Sequence, residues 1–243
     1  MSTVTSTARL TRTSRPTGTA GVTSAARFTG LAYLGLAISG LLGFMLVRQQ
    51  LYVPGEAVTT AANLVAHESL ARLGIALDLT GVVAQALAAL GFFRLFRGVH
   101  QVAAGAIAAF GLVNAVVILL GTAFSATALG VAVSGAGTVA DRAADAQLLY
   151  DLNGAVWDVG GIFFGLWLIP MGWLVLRSGS MPRLLGWLLV IGGVGYVLGT
   201  YLGLLAPGAA SLSDVLTVPA TAGELWMVGY LLVAAARQTL RLP

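Results

Sequence analysis

The chain has 243 residues, 58% of them hydrophobic and 9% charged, with a mean hydropathy of +0.90 and a formal net charge of +4. An average soluble domain carries about 25% charged residues, so a water-soluble monomer is excluded and lipid is the expected solvent. With no cysteine and no lysine, disulfides, thiol catalysis, cysteine-ligated metals and Schiff-base chemistry are excluded too. The arginines stand at the ends of apolar runs and line no single face, which excludes nucleic acid as a partner.

Residues 1–26, "MSTVTSTARLTRTSRPTGTAGVTSAA", are rich in Ser, Thr and Arg and bury almost nothing, so they read as a disordered tail, with residues 27–243 forming the membrane domain. The apolar run 28–47 outlasts a signal-peptide core and is followed by "RQQLYVPGEA", which lacks a small-residue cleavage site; it reads as an uncleaved first span. Further spans are expected at 69–95, 102–128, 148–176, 184–206 and 218–237, each long enough to cross about 30 Å of hydrocarbon as a helix. No alternating period-2 pattern appears, which excludes a membrane β-barrel. The fold class is therefore all-α, an integral membrane bundle of six transmembrane helices. "FRGVHQ" and "RSGSMPR" are short turns, whereas "YVPGEAVTTAANLVAHES" and "SGAGTVADRAADAQ" read as longer polar connections.

Threading the chain six times through a membrane sorts its charges. Arg9, Arg12, Arg15, Arg27, Arg94, Arg97, Arg177, Arg183, Arg237 and Arg241 fall on one side, and Arg48, Arg72 and Arg142 on the other. All nine acids lie in the half away from the ten arginines. The positive-inside rule then places both termini in the cytoplasm, and the expected location is a bacterial inner membrane.

The stretches "VPGEAVTTAANLVAHESLARLGIALDL", "IFFGLWLIPMGWLVLRSGSMPRLLGWLLVIGGVGYV" and "AGELW" resemble a bacterial family of multi-span membrane proteins known as domain of unknown function 4386. The resemblance covers about residues 28–237, and its most specific part is the run around "FFGLWLIPMG". It implies a fold but no activity. It also implies a histidine shortly after the aspartate matching Asp151; the matching position here is Asn153.

Ionisable groups inside a bilayer are costly and usually face a bundle interior or water. Asp78, Asp158 and Glu224 fall one each on the second, fourth and sixth spans, all in the outer part. Asp151 and Asp158, seven residues apart, share a helix face. The candidate site is thus an outward-facing polar pocket of Asp158, Glu224, Asp78, Arg72, Asn153 and Asp151. The bland alternative makes these acids structural, with Asp78 or Glu224 paired to Arg72 or Arg48, and Glu68–Arg72 a plain helix-surface pair. His67 and His100 lie on opposite sides with no paired-ligand spacing, so no metal or cofactor is expected. No nucleophile–base motif appears, and an enzyme is the least supported class.

Two further readings concern packing. Gly195, Gly199 and Gly203, and Gly161 with Gly165, repeat every four residues and predict close helix contacts. Pro170 predicts a bend in the fourth span. "GFFRLFRGVHQVAAGAIAAFG" and "GWLVLRSGSMPRLLGWLLVIGG" also echo one another as a parallel repeat would. Two functions remain in view: a protein handling a small solute, lipid or ion through the acidic pocket, or a structural or regulatory partner of itself or of another membrane protein. A cavity beside Asp158 favours the first and a tightly packed dry bundle the second.

Overall fold

The computed structural model describes residues 19–237 apart from residues 207 and 209. In chain order the elements are α1 (Thr19–Leu42), a π-helical segment (Gly43–Arg48), α2 (Gln49–Leu51), α3 (Ala57–Ala66), α4 (Glu68–Phe96), α5 (Gln101–Ser134), α6 (Val139–Ser178), α7 (Arg183–Leu205) and α8 (Ala210–Arg237). Six helical stretches are long and apolar enough to cross a membrane: Gly21–Leu51, Glu68–Phe96, Gln101–Ser134, Val139–Ser178, Arg183–Leu205 and Val215–Ala234. The six-span, all-α architecture is as the sequence predicts.

Three boundaries differ from expectation. Residues 1–18 of the expected tail lie outside the described residues, but α1 already begins at Thr19, and Ala25 and Ala26 are buried. The connection expected over "SGAGTVADRAADAQ" shrinks to Gly135–Thr138, because Thr138 and Asp141 form a reciprocal capping box that starts α6 nine residues early. The alanines that follow are the strongest helix formers, and that propensity outweighs the polarity of the segment. The long connection after the first span holds a helix of its own, α3, which packs against α5 and α6.

The membrane helices form a closed ring in chain order: α1 packs on α4, α4 on α5, α5 on α6, α6 on α7, α7 on α8, and α8 returns to α1. One end of this ring carries the turns Arg97–His100 and Gly179–Pro182 and is rich in arginine. The other carries α3 and most of the described acids. At the arginine end the turns are tightly specified. The His100 side chain accepts from the Ala103 N–H at 3.2 Å and so caps α5, while Gly179 ends α6 in the left-handed conformation at φ 64°. Nearer this end the interior is filled by Tyr33, Phe92 and Trp167, whose rings meet edge to face at 5.4–5.9 Å, with Leu168, Met171, Leu189 and Met227 around them.

The glycines permit the closest approaches, though not all where the spacing predicts. A Cβ on Gly165 or Gly172 of α6 would run into the backbone of Gly193 or Gly186 of α7, and one on Gly195 would strike the Leu216 carbonyl of α8. At Gly199 the nearest atom would be Ser213 Cβ at 3.5 Å, an ordinary contact, and Gly203 faces open space. The predicted ridge is therefore tight only at Gly195, because α7 and α8 diverge towards the acidic end. Helix α6 is helical throughout, Pro170 included.

Candidate functional site

Alignment of neighbouring helices gives each residue a depth. Between α1 and α4, Thr29 lies against Gly91, Ser39 against Gly81, Gly43 against Asp78, and Val47 against Gly74. Between α1 and α6, Tyr33 packs on Trp167 and Arg48 bonds Asn153. Both pairs are antiparallel, and both registers bring their aspartate, Asp78 or Asp158, to the depth of Gly43. That level is ten residues from Tyr33, about 15 Å towards the acidic end.

At this depth the ring is not filled. A cavity of about 470 Å³ lies between α1 with its π segment, α4, α5 and α6, and neither α7 nor α8 contributes to its walls. From α6 it is faced by Tyr150, Asn153, Gly154, Trp157 and Asp158, a spacing of three and four residues that defines one helical face. Opposite stand Asp78 of α4 and Arg48 of the π segment, with Ser39 and Ser125 as neutral polar groups. The rest of the lining is mainly apolar, including Leu36, Phe44, Ile75 and Ile118.

The most connected residue is Asn153, buried to 3% exposure. Its amide nitrogen donates to the Gly121 carbonyl at 2.7 Å and to Ser125 Oγ at 3.0 Å, and its oxygen accepts from Arg48 Nη1 at 2.6 Å. This fixes the amide orientation and holds the guanidinium at the cavity wall. Arg48 also lies over the Tyr52 ring, 5.5 Å from its centroid, and Tyr52 stacks on Tyr150 at 5.4 Å. The Tyr52 hydroxyl donates to Asp151 Oδ1 at 2.7 Å; burial first, and then this carboxylate, push the phenol above its ordinary range.

Of the residues expected to share a pocket, Asp78, Asn153 and Asp158 line this cavity, while Arg72, Asp151 and Glu224 are not among its walls. Arg72 is exposed and pairs with Glu68 at 2.6 Å, the plain i,i+4 pair of the bland reading. Asp151 is exposed and accepts from Tyr52 and Gln147. Glu224 accepts from the Tyr33 hydroxyl at 2.5 Å, beside the aromatic cluster about 15 Å deeper than the cavity carboxylates. Asp158 and Glu224 are thus held apart.

Arg48, Tyr150 and Trp157 were not among the expected residues. Arg48 looked like the flank of a span ending at Val47, whereas the π segment continues the helix and turns the side chain inward. π-segments are rare and recur at functional sites. A signal existed in Arg48 itself, one of three arginines on the minority side.

Among curated proteins, a 52-residue stretch is 42% identical to an uncharacterized protein of Archaeoglobus fulgidus, covering 21% of this chain and 32% of that protein. The chain therefore matches about a third of that relative's length. No solved structure matches. The family described as Domain of unknown function (DUF4386) matches residues 28–235, a span that covers the first membrane helix from Phe28, the other five helices and the whole cavity. The chain belongs to this family and is a multi-pass membrane protein, with Arg48, Asp78, Asn153 and Asp158 lining one cavity between its first four spans.

Proposed function

We propose that the protein binds or moves a small solute, lipid or ion through this cavity, which opens outward from a bacterial inner membrane, with both termini cytoplasmic. The observation that carries the reading is the pair Asp78 and Asp158, brought to one depth on two helices around an unfilled space. Counted back from Arg94 and Arg177, they lie about 24 and 28 Å from the arginine end, near the far boundary of a hydrocarbon core about 30 Å thick. Placing a carboxylate in a membrane helix is costly, most so at the centre, where insertion scales give about 2.5–3.5 kcal/mol. A cavity opening on the acidic side relieves that cost by admitting water. A purely structural partner needs no such opening, although the close glycine contacts of α6, α7 and α8 are what that second reading would use.

The cysteine-free chain gives a direct test. Ser125→Cys, on the cavity wall, should react with a membrane-impermeant thiol reagent added to the outside of spheroplasts. Val83→Cys, on an exposed apolar face of α4, should stay unlabelled. An unreactive Ser125→Cys would rule out an outward, water-filled cavity.

A further inference from the structure

The cavity's charges do not balance. Arg48 supplies one positive charge, and Asp78 and Asp158 supply two negative charges when ionised. The guanidinium has a neutral hydrogen-bond acceptor in Asn153 and an aromatic face in Tyr52. Among the described residues, no hydrogen bond and no ion pair within 4 Å reaches either cavity carboxylate, the salt bridge present being Arg72–Glu68 on the exposed surface. Asp78 is half-buried and Asp158 exposed at the open side of the cavity, and ionisable groups within membrane spans ordinarily pair with one another or face water. Here the missing partner has room between them.

We propose that this partner is a monovalent organic cation with an apolar body, held with its charge between Asp78 and Asp158 and its body against the Trp157 side of the cavity. The inference rests on the binding reading above and names the ligand class of the same site. Three observations select the class. The volume of about 470 Å³ falls among pockets that hold small organic molecules, roughly 300–1,000 Å³, and is far more than a bare ion needs. The lining is mainly apolar, which favours a hydrocarbon body over a strongly hydrated ion. Trp157 lines the cavity at the depth of the carboxylates, with one indole face stacked on Phe164 at 5.9 Å, and tryptophan is the best aromatic partner for an ammonium group. An anion would be repelled by two carboxylates and would find Arg48 already engaged by Asn153.

The test uses the purified full chain in a neutral maltoside detergent and three probes of similar shape: benzyltrimethylammonium, its uncharged carbon analogue neopentylbenzene, and benzenesulfonate. Isothermal titration should show the ammonium binding at least tenfold more tightly than the other two. Asp78→Asn and Asp158→Asn should each weaken it tenfold or more. Gly154→Leu is a second kind of variant. A Cβ there meets only Arg48 Nη2, at 3.6 Å, so the helix accepts the side chain, which should fill the cavity and abolish binding. Equal binding of the three probes, failure of the ammonium to bind, or wild-type affinity in both asparagine variants would overturn the cation assignment. If the neutral probe or the sulfonate binds best and Gly154→Leu removes that binding, the cavity remains a binding site and only the ligand class fails. Should an asparagine variant not fold, the charge series on the wild-type chain and Gly154→Leu still decide the matter.

Discussion

At the scale of single residues, the six candidate polar positions divide by what surrounds them. Glu224 and Tyr33 form a closed pair: the phenol donates to the carboxylate and is itself only 2% exposed, so neither is free to serve a ligand. Removing the donor leaves a poorly solvated carboxylate with no partner, which costs about 1–3 kcal/mol, whereas Gln at position 224 keeps an oxygen acceptor. Tyr33→Phe should therefore lower the melting temperature in detergent more than Glu224→Gln does. The double variant Tyr33→Phe/Glu224→Leu should lose less than the sum of Tyr33→Phe and Glu224→Leu, because the two groups share one interaction. Strict additivity in that cycle would show that the pair is energetically unimportant. Asn153 is the opposite case, a buried amide with all its described bonds directed at holding Arg48 and α5 around the cavity.

Among the elements, α6 was the most legible and also the most misleading. Its two aspartates, Asp151 and Asp158, do lie on nearby faces, and that spacing is visible in sequence. What could not be read was that Tyr52 captures Asp151 from a connection a hundred residues earlier. The informative pattern was the denser one, Tyr150, Asn153, Gly154, Trp157 and Asp158, which mixes polar, aromatic and glycine positions and so escapes a search for acids alone. The glycine spacing behaves similarly. Periodicity identifies which face of α7 is small, but only the crossing geometry decides where backbones meet, so Gly195 is tight and Gly203 open. Gly165→Leu, which drives a side chain into the Gly193 carbonyl, should lower the melting temperature strongly, and Gly203→Leu should leave it nearly unchanged. Similar melting temperatures for the two variants would show that close approach of α6 and α7 is dispensable.

For the whole molecule, the architecture was legible because composition, span length and charge segregation all point the same way. Six apolar segments survive any reasonable choice of boundary, and family membership extends across all of them. The cavity was not legible, because it arises from the ring closing tightly around Tyr33, Phe92 and Trp167 and loosely above them. The absolute orientation we propose rests on arginine placement, and reporter fusions test it. Alkaline phosphatase joined at Gly135 or Gly208 should be active, and at Gly98 or Gly179 inactive. The reverse pattern would invert the protein, and the cavity would then open to the cytoplasm.

The π segment makes the site tolerant of a one-codon deletion at one place in the first span and not elsewhere in it, a difference that hydropathy does not reveal. Its bonds skip one residue more per turn than those of an α-helix, as if a single amino acid had been inserted into α1. Met45 points outward at 53% exposure and fills no core position, so excising its codon would let the backbone relax into an uninterrupted α-helix. Everything before Gly43 would keep its packing and the span would stay just as apolar. Arg48 would keep its direction and its bond to Asn153, because the residue removed is the extra one, whereas deleting Ile38 from the α-helical part of α1 would turn Arg48 about 100° relative to Tyr33, the angle between successive residues. A chain lacking the Met45 codon would therefore fold like its parent and keep Arg48 at the cavity, while a chain lacking one codon earlier in α1 would have the same hydropathy profile and a displaced guanidinium.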